Sequence, residues 1–165
     1  MWSSHVKTGA ELTISSISAT ALAKEFGTPA FIMDEADFRE RASAWNAALN
    51  NAFESNAGTV YYAAKAFICV EVARWIKDLG IGIDVCTGGE LAVALKGGVD
   101  PAKIEVHGNN KSVAEIEKAV SVGVGTIVID SLYEIERVAA AATKHGVVQK
   151  VLLRLTPGIE AHTHE

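Results

Sequence analysis

The sequence predicts an α/β protein with one parallel sheet. Short runs of β-branched and other apolar residues alternate with longer segments in which apolar residues recur every three or four positions, the pattern of strands and amphipathic helices. From the second predicted strand onward, the strand starts lie 22, 22, 23 and 24 residues apart, which fits a repeat of one strand, one helix and two short loops. Because strands connected through helices run parallel, each repeat is one βα unit.

The predicted elements cover the chain from Pro29 onward. The predicted strands are Pro29–Met33, Thr59–Ala64, Ile81–Val85, Lys103–His107, Thr126–Ile129 and Lys150–Leu155. The predicted helices are Glu35–Asn51, Cys69–Leu79, Gly89–Lys96, Ser112–Val122 and Leu132–Lys144. This alternation does not decide between an open doubly wound sheet and a closed (β/α)8 barrel.

Local signals mark the ends of these helices. Ser112 with Glu115, and Ser131 with Glu134, have the spacing of a capping box, in which each side chain bonds the other residue's backbone N–H. Helix C-terminal glycines are expected at Gly80, Gly97, Gly123 and Gly146.

Composition narrows the classes of function. Of 165 residues, 49% are hydrophobic and 21% charged, so we expect an ordered core. The net charge of −5, with dispersed Lys and Arg, gives a nucleic-acid partner no support and favours a small-molecule ligand. No segment is apolar enough for a signal peptide or a membrane span, so we expect a cytoplasmic protein without a membrane partner. Cys69 and Cys86 form no C-x-x-C pair, and we expect both to be reduced.

Polar side chains follow each predicted strand from the second onward. The carboxyl ends of parallel strands carry the chemistry in both candidate architectures. The residues at these ends are Lys65, Asp84 with Cys86, His107 with Asn109, Asp130, and Arg154. They are therefore expected to face one polar ligand.

Lys65 is the most informative of these residues. It follows the apolar run Val60–Ala64, and desolvation beside a buried strand favours the partly neutral amine that Schiff-base formation requires. Position alone favours a simpler role, a lysine that only extends from a strand end to water. The local sequence reverses that preference.

Four blocks carry a resemblance to a known family. Tyr62–Ala66 resembles the Y-A-x-K motif of the fold-type III pyridoxal-phosphate decarboxylases. Ile83–Leu91 resembles their D-x-x-S-x-G-E-L block, with Cys-Thr in place of the commoner small hydroxyl residues. His107–Ser112 and Leu152–His164 resemble segments of the diaminopimelate decarboxylases within that family, particularly those of actinobacteria.

The resemblance implies a fold and a set of site residues. It implies about five βα units of a TIM-like (β/α)8 barrel, with residues 1–28 preceding the barrel, residues 29–165 forming an incomplete cofactor-binding domain, and the family's C-terminal β-domain absent. Lys65 is implied as the catalytic lysine that carries pyridoxal 5′-phosphate. Asp84, His107 and Arg154 are implied as further cofactor-binding residues.

The resemblance also implies a reaction, the decarboxylation of meso-2,6-diaminoheptanedioate to L-lysine, which is the last step of lysine biosynthesis. It further implies that the complete enzyme is a homodimer. Because the family's later blocks are absent, including its glycine-rich phosphate site, we expect this chain alone to be inactive. Two alternatives stay open. One is another member of the same family, acting on ornithine or arginine or racemising alanine. The other is a flavodoxin-like, non-catalytic binding domain, which a crossed strand order would favour over a sequential one.

Simpler roles remain for several site residues. Asp84 could cap the helix that follows it, and Arg154 could form a buried ion pair with Asp84 or Asp130. His107 could be a hydrogen-bonded packing residue. Glu90 fits the first turn of a helix, where the helix dipole favours a carboxylate without any catalytic role.

The C-terminal residues superficially suggest metal ligands. His162 and His164 stand two residues apart, next to Glu165. Such a pair without further ligands is poor evidence for a site, so no metal is expected.

Overall fold

The computed structural model describes residues 6–53 and 58–158 and divides the chain into two compact units, Met1–Val60 and Tyr61–Glu165. Among the described residues, the first unit contains a three-stranded antiparallel sheet and two helices. Its elements are β1 (Val6–Lys7), β2 (Thr13–Ile14), β3 (Ile17–Ser18), α1 (Ala19–Phe26) and α2 (Glu35–Ala52). Both helices begin at side-chain caps, where Ser18 accepts from the N–H of Ala21 and Asp34 accepts from that of Asp37.

The predicted strand Pro29–Met33 is wrong. Residues 27–34 form no strand, and they join no sheet in the described part of the chain. Pro29 has no N–H to donate to a ladder, and the Phe31 side chain is fully exposed. The apolar run therefore lacks both the pairing and the burial that would make it a strand.

The second unit is built on a five-stranded parallel sheet whose strands pair in chain order. The strands are β4 (Tyr61–Ala63), β5 (Gly82–Val85), β6 (Ile104–Val106), β7 (Thr126–Ile129) and β8 (Val151–Leu153). The helices between them are α3 (Val70–Leu79), α4 (Gly88–Lys96), α5 (Val113–Val122) and α6 (Leu132–His145). The sequential order confirms the predicted βα succession and contradicts the crossed order of a flavodoxin-like sheet.

The register of the strands gives the sheet two different faces. Successive side chains of a strand point to opposite faces. One face buries apolar residues beneath the helices, and none of them is more than 6% exposed: Ile83, Val85, Ile104, Val106, Ile127 and Ile129. Burying each such side chain contributes about 1.5–3 kcal/mol. The opposite face, which we call the open face, carries the polar residues of the strands.

Most of the predicted helix ends are confirmed. Ser112 and Glu115 form the expected capping box at the start of α5. Gly80, Gly123 and Gly146 end their helices with a left-handed backbone, which glycine adopts without steric cost. Gly97 also lies at the end of α4, but glycine is needed there for a different reason. A Cβ at this position would lie 2.3 Å from the Cβ of Ala73 on α3.

The second predicted capping box is wrong. Ser131 precedes α6 but makes no side-chain cap hydrogen bond. The Glu134 carboxylate instead accepts a hydrogen bond from the backbone N–H of Asp130 at 2.9 Å and lies 3.1 Å from the ammonium group of Lys111. A buried cation therefore draws Glu134 away from the role that the spacing predicted.

Candidate functional site

Lys65 lies in a single 3₁₀ turn, Ala64–Ala66, directly after β4. The Tyr62 hydroxyl donates a hydrogen bond to the carbonyl oxygen of Phe67 at 2.7 Å, which ties the residues on either side of the turn together. The predicted burial of Lys65 is wrong for this structure, because its side chain is exposed. An exposed primary amine remains accessible to a carbonyl compound.

Lys65 lies near the end of the neighbouring strand. Ala63, two residues earlier, pairs with Asp84 of β5. Burial and the charges of Asp84 and Glu90 raise the pKa of the Cys86 thiol, whereas the charge of Lys65 opposes that shift. The thiol is therefore neutral at pH 7 and a poor nucleophile.

Asp84, Glu105 and His107 form a compact group on the open face, which we call the histidine cluster. Asp84 and Glu105 are direct neighbours in the β5–β6 register. Nε2 of His107 lies 2.5 Å from Oε1 of Glu105 and 3.9 Å from Oδ2 of Asp84. All three side chains are partly buried, so water screens the electrostatic interactions among them only in part. The ring of His107 is therefore held by its Nε2 edge.

Glu105 was missed in the sequence. It stands between Ile104 and Val106 in an otherwise apolar strand, and strand periodicity places it on the same face as His107. A carboxylate inside a buried strand, two residues before a polar strand end, is the signal that identifies it.

The proposed capping role of Asp84 is wrong. Thr87 is the residue that caps α4, and its hydroxyl accepts a hydrogen bond from the N–H of Glu90. Glu90 lies on the first turn of α4 as predicted, and its carboxylate accepts from the backbone N–H of Cys86 at 2.5 Å. The Asp84 carboxylate therefore remains directed to the histidine cluster.

Arg154 and Asp130 form a second group, which we call the arginine pair. Nη1 of Arg154 donates to Oδ1 of Asp130 at 2.6 Å, and the backbone N–H of Arg154 donates to Ile129. The predicted ion pair with Asp130 is thus confirmed. It is not buried, because the Arg154 side chain is 54% exposed. Guanidinium N–H groups not used by Asp130 remain available to a ligand.

The structure thus places all four predicted cofactor-binding residues at or just beyond the carboxyl ends of strands β4, β5, β6 and β8: Lys65, Asp84, His107 and Arg154. Asn109 lies in the loop after β6 and is exposed. The site is an open face, whereas a cavity of about 240 Å³ lies on the helix-covered side, between α6 and strands β7 and β8.

These residues fit pyridoxal phosphate. An accessible lysine amine can bind an aldehyde covalently, and an exposed guanidinium suits anionic oxygens. The carboxylates and imidazole of the histidine cluster can hydrogen-bond a heteroaromatic ring. Within residues 6–53 and 58–158, no group of three or more His, Cys, Asp or Glu side chains is placed to hold a metal ion. His162, His164 and Glu165 lie outside the described residues.

A sequential parallel βα sheet with a lysine and polar residues along its carboxyl edge is typical of barrel-type proteins, which bind polar small molecules at that edge. Residues 35–165 match the family described as pyridoxal-dependent decarboxylase, pyridoxal binding domain, and the chain belongs to this family. The predicted cofactor, pyridoxal phosphate, is confirmed by this membership. No helix in the described part of the chain is both long and apolar enough to cross a bilayer.

Curated relatives support the same family. The chain is 58% identical over 152 residues to the diaminopimelate decarboxylase of Mycobacterium tuberculosis (strain H37Rv), an alignment that covers 92% of this chain and 33% of the relative. It is 42% identical over 162 residues to that of Halalkalibacterium halodurans, which covers 98% of this chain and 36% of the relative. The chain therefore spans about a third of the length of these relatives.

Solved structures agree with the fold. The diaminopimelate decarboxylase of M. jannaschii superposes with a TM-score of 0.83 at 28% identity, covering 97% of this chain and 38% of that one. The Helicobacter pylori diaminopimelate decarboxylase complexed with L-lysine superposes with a TM-score of 0.71 at 27% identity, covering 86% of this chain and 36% of that one. Together with the sequential strand order, these matches confirm the predicted partial barrel.

Proposed function

We propose that this chain is the lysine-bearing part of a pyridoxal-phosphate-dependent decarboxylase that converts meso-2,6-diaminoheptanedioate to L-lysine and carbon dioxide, within lysine biosynthesis. One observation carries the proposal, which is the accessible Lys65 amine at the same sheet edge as the histidine cluster and the arginine pair. The relatives named diaminopimelate decarboxylase, one of them solved with L-lysine, support the choice of substrate.

Lys65 binds the cofactor covalently through its amine and is the catalytic lysine of the proposal. Bound pyridoxal phosphate supplies an electron sink for the electron pair left when carbon dioxide departs. Asp84 and His107 would hold the cofactor from β5 and β6, and Arg154 would offer the N–H groups that Asp130 does not use to an anionic oxygen. Because Glu105 engages Nε2 of His107, the ring orientation is set before a ligand binds.

The same proposal includes a cytoplasmic location and a homodimeric assembly. It also includes the division of the chain into residues 1–28 and a cofactor-binding domain of residues 29–165. Large apolar side chains of the first unit support an assembly or further chain that covers them. Phe31 is fully exposed and Trp45 is 70% exposed. Such surfaces are unfavourable in water and mark contact regions.

Covalent capture tests the cofactor part of the proposal. The full-length gene product would be incubated with pyridoxal phosphate, reduced with borohydride, digested and mapped by mass spectrometry. We expect the pyridoxyl group on Lys65 and its loss in Lys65→Ala. The matched control is Lys118→Ala, which removes an exposed lysine from α5 on the helix-covered side and should leave labelling unchanged. Label spread over surface lysines, or retained in Lys65→Ala, contradicts the proposal.

A substrate panel tests the choice of substrate. Carbon dioxide release would be compared for meso-2,6-diaminoheptanedioate, L-ornithine, L-arginine and L-lysine with the same protein. We expect release from the first compound alone. Preferential release from ornithine or arginine would keep the cofactor assignment and replace the substrate, in favour of the alternative left open by the sequence. A lysine/ornithine decarboxylase from Vibrio vulnificus, at 27% identity and a TM-score of 0.67, makes this comparison necessary.

A further inference from the structure

We infer that Lys111 and Glu134 form a buried clamp that positions the histidine cluster and the arginine pair relative to each other. The inference rests on the proposed function and deepens it, because it names two positioning residues that do not belong to either group. Lys111 lies in the loop between β6 and α5, and Glu134 lies on the first turn of α6. Both side chains are almost completely buried, at 3% and 4% exposure.

All three N–H donors of the Lys111 ammonium group have an acceptor nearby. Nζ donates to the carbonyl oxygen of Gly108 at 2.6 Å and to that of Val128 at 2.8 Å, and it lies 3.1 Å from Oε2 of Glu134. A lysine ammonium has three donors and no acceptor, so this group is fully satisfied. The clamp thus joins the loop after β6, strand β7 and helix α6.

The first end of the clamp reaches the histidine cluster. Gly108 directly follows His107, whose backbone N–H donates to the carbonyl oxygen of Val85 at 2.7 Å. A Cβ on Gly108 would lie 3.1 Å from the carbonyl oxygen of Cys86, so the loop passes close to the end of β5. Two hydrogen bonds therefore fix the backbone around His107. Its own N–H is bonded to β5, and the carbonyl group of the next residue, Gly108, is bonded to Lys111.

The second end of the clamp reaches the arginine pair. The same Oε2 of Glu134 that faces Lys111 accepts a hydrogen bond from the backbone N–H of Asp130 at 2.9 Å. Asp130 in turn accepts from Arg154. The carboxylate therefore sets where the backbone of Asp130 lies, and through Asp130 it sets where the guanidinium lies.

The clamp is poorly explained as a stabilising device. Burying two charges costs desolvation energy that their attraction often does no more than offset, and apolar residues of similar size frequently serve stability as well or better. Unlike an apolar pair, this pair makes directed hydrogen bonds to three backbone groups, which belong to two segments of the chain. Positioning is the role that uses those bonds.

The test separates positioning from stability with a paired substitution in the full-length gene product. Lys111→Met with Glu134→Leu replaces the clamp by apolar side chains of similar size. The matched control, Lys118→Met with Glu136→Leu, makes the same changes at exposed positions of α5 and α6. Thermal unfolding, hydrogen exchange by mass spectrometry and the dissociation constant for pyridoxal phosphate would be measured for each.

We expect the clamp variant to keep a melting temperature close to that of the parent while amide exchange in residues 105–112 and 128–134 becomes at least about tenfold faster. Cofactor binding should weaken about tenfold or more, since small displacements of binding groups carry such costs. The control should match the parent in all three measurements. Unchanged exchange in both segments, or unchanged cofactor affinity in a variant with faster exchange, would overturn the inference.

A second, single variant tests the inference if the double variant Lys111→Met with Glu134→Leu does not fold. Glu134→Gln keeps the size of the side chain and an acceptor oxygen but removes the charge that faces Lys111. Faster exchange at residues 128–134 with weaker cofactor binding supports positioning, and the absence of either effect opposes it. If the parent protein itself binds no pyridoxal phosphate, the proposed function fails, and the exchange measurement alone then decides whether the clamp orders the two segments.

Discussion

On the helix-covered face of the sheet, Ile83, Ile104 and Ile127 are at most 1% exposed, whereas on the open face Asp84 and Glu105 of the same strands stay partly accessible. The two sets alternate residue by residue along β5 and β6. One face supplies apolar burial, and the other presents charge at a shared edge. Neighbouring residues in sequence therefore have separable roles, one in stability and the other, in the proposed function, in chemistry.

The alternation also makes the strand register essential to both roles. A slip of one residue in the pairing of β5 with β6 would move the isoleucine of the slipped strand to the open face and its carboxylate beneath the helices. Burying even one carboxylate without a partner costs several kcal/mol or more, so such a slip is strongly disfavoured. The apolar face thus fixes the register that brings Asp84 beside Glu105.

The largest effect is expected at Lys65, on the chemical side of the comparison. Lys65→Ala should lower decarboxylation by on the order of a thousandfold or more, because it removes the covalent attachment of the cofactor. Its exposed position predicts almost no change in the free energy of unfolding. Turnover assays and urea unfolding of the full-length gene product would test both statements. Substantial activity in this variant would contradict the assignment of the catalytic lysine.

The second prediction compares two adjacent residues. Ile104→Ala should lower the free energy of unfolding by about 2–5 kcal/mol, since it opens a cavity under the helices. Glu105→Ala, one position later on the open face, should cost well under half as much and should instead disturb His107, whose Nε2 loses its partner. Urea unfolding of both variants, with NMR of the His107 ring, would measure the difference. If Ile104→Ala and Glu105→Ala lowered the free energy of unfolding equally, the proposed difference between the two faces would be wrong.

The third prediction concerns a carboxylate on the helical side. Hydrogen bonds from the backbone and the hydroxyl of Ser112, then from the N–H of Gly88, lower the pKa of Glu115. A carboxyl group whose folded-state pKa is lowered adds stability that is complete above its ordinary value of 4.5 and is lost as the pH falls through the folded-state pKa.

Glu115→Gln should therefore cost about 0.3–1 kcal/mol at pH 7, because glutamine can keep the capping-box hydrogen bond but loses the negative charge that is favourable near a helix N-terminus. The difference from the parent protein should shrink as the pH falls below 4.5. Urea unfolding of both proteins between neutral and acidic pH would measure it. A difference that stays constant with pH would contradict the role of the Glu115 charge.

The sequence predicts the helical face of this molecule better than the open face. The helices and the sequential sheet follow from local periodicity, and the burial of Ile83 or Val106 follows from the same pattern. The prediction of a strand at Pro29–Met33 failed because an apolar run in the sequence does not reveal whether a neighbouring strand will pair with it or whether its side chains will be buried. The short strands β1 to β3 and helix α1 were missed, since strands of two residues carry no measurable period.

On the open face, residue types were predictable and partners were not. Lys65, Asp84, His107 and Arg154 could be named as candidates from their positions at or just after strand ends, and the family resemblance then selected them. The partnership of Glu134 with Lys111 could not, because it joins residues from different βα units and overrides a local capping signal. The exposure of Lys65 was also missed, since it depends on what covers the open face rather than on the apolar run before it.

The arginine pair is expected to contribute little to stability, and it gives the sharpest form of the comparison. Arg154→Ala should cost about 0.2–1 kcal/mol, as exposed ion pairs do. Arg74→Ala is the matched control, because Arg74 forms an exposed pair of similar length, 2.7 Å, with Glu71 on α3.

The two arginine variants should thus be nearly indistinguishable in urea unfolding and differ in cofactor binding. Only Arg154 lies at the sheet edge that carries Lys65, so only its loss should weaken binding of pyridoxal phosphate, measured by titration of the full-length gene product. Equal affinities for both variants would remove Arg154 from the binding groups and leave the arginine pair as a surface contact. Weaker binding in Arg154→Ala alone would show that a side chain of little value to stability is retained at this edge for its effect on the ligand.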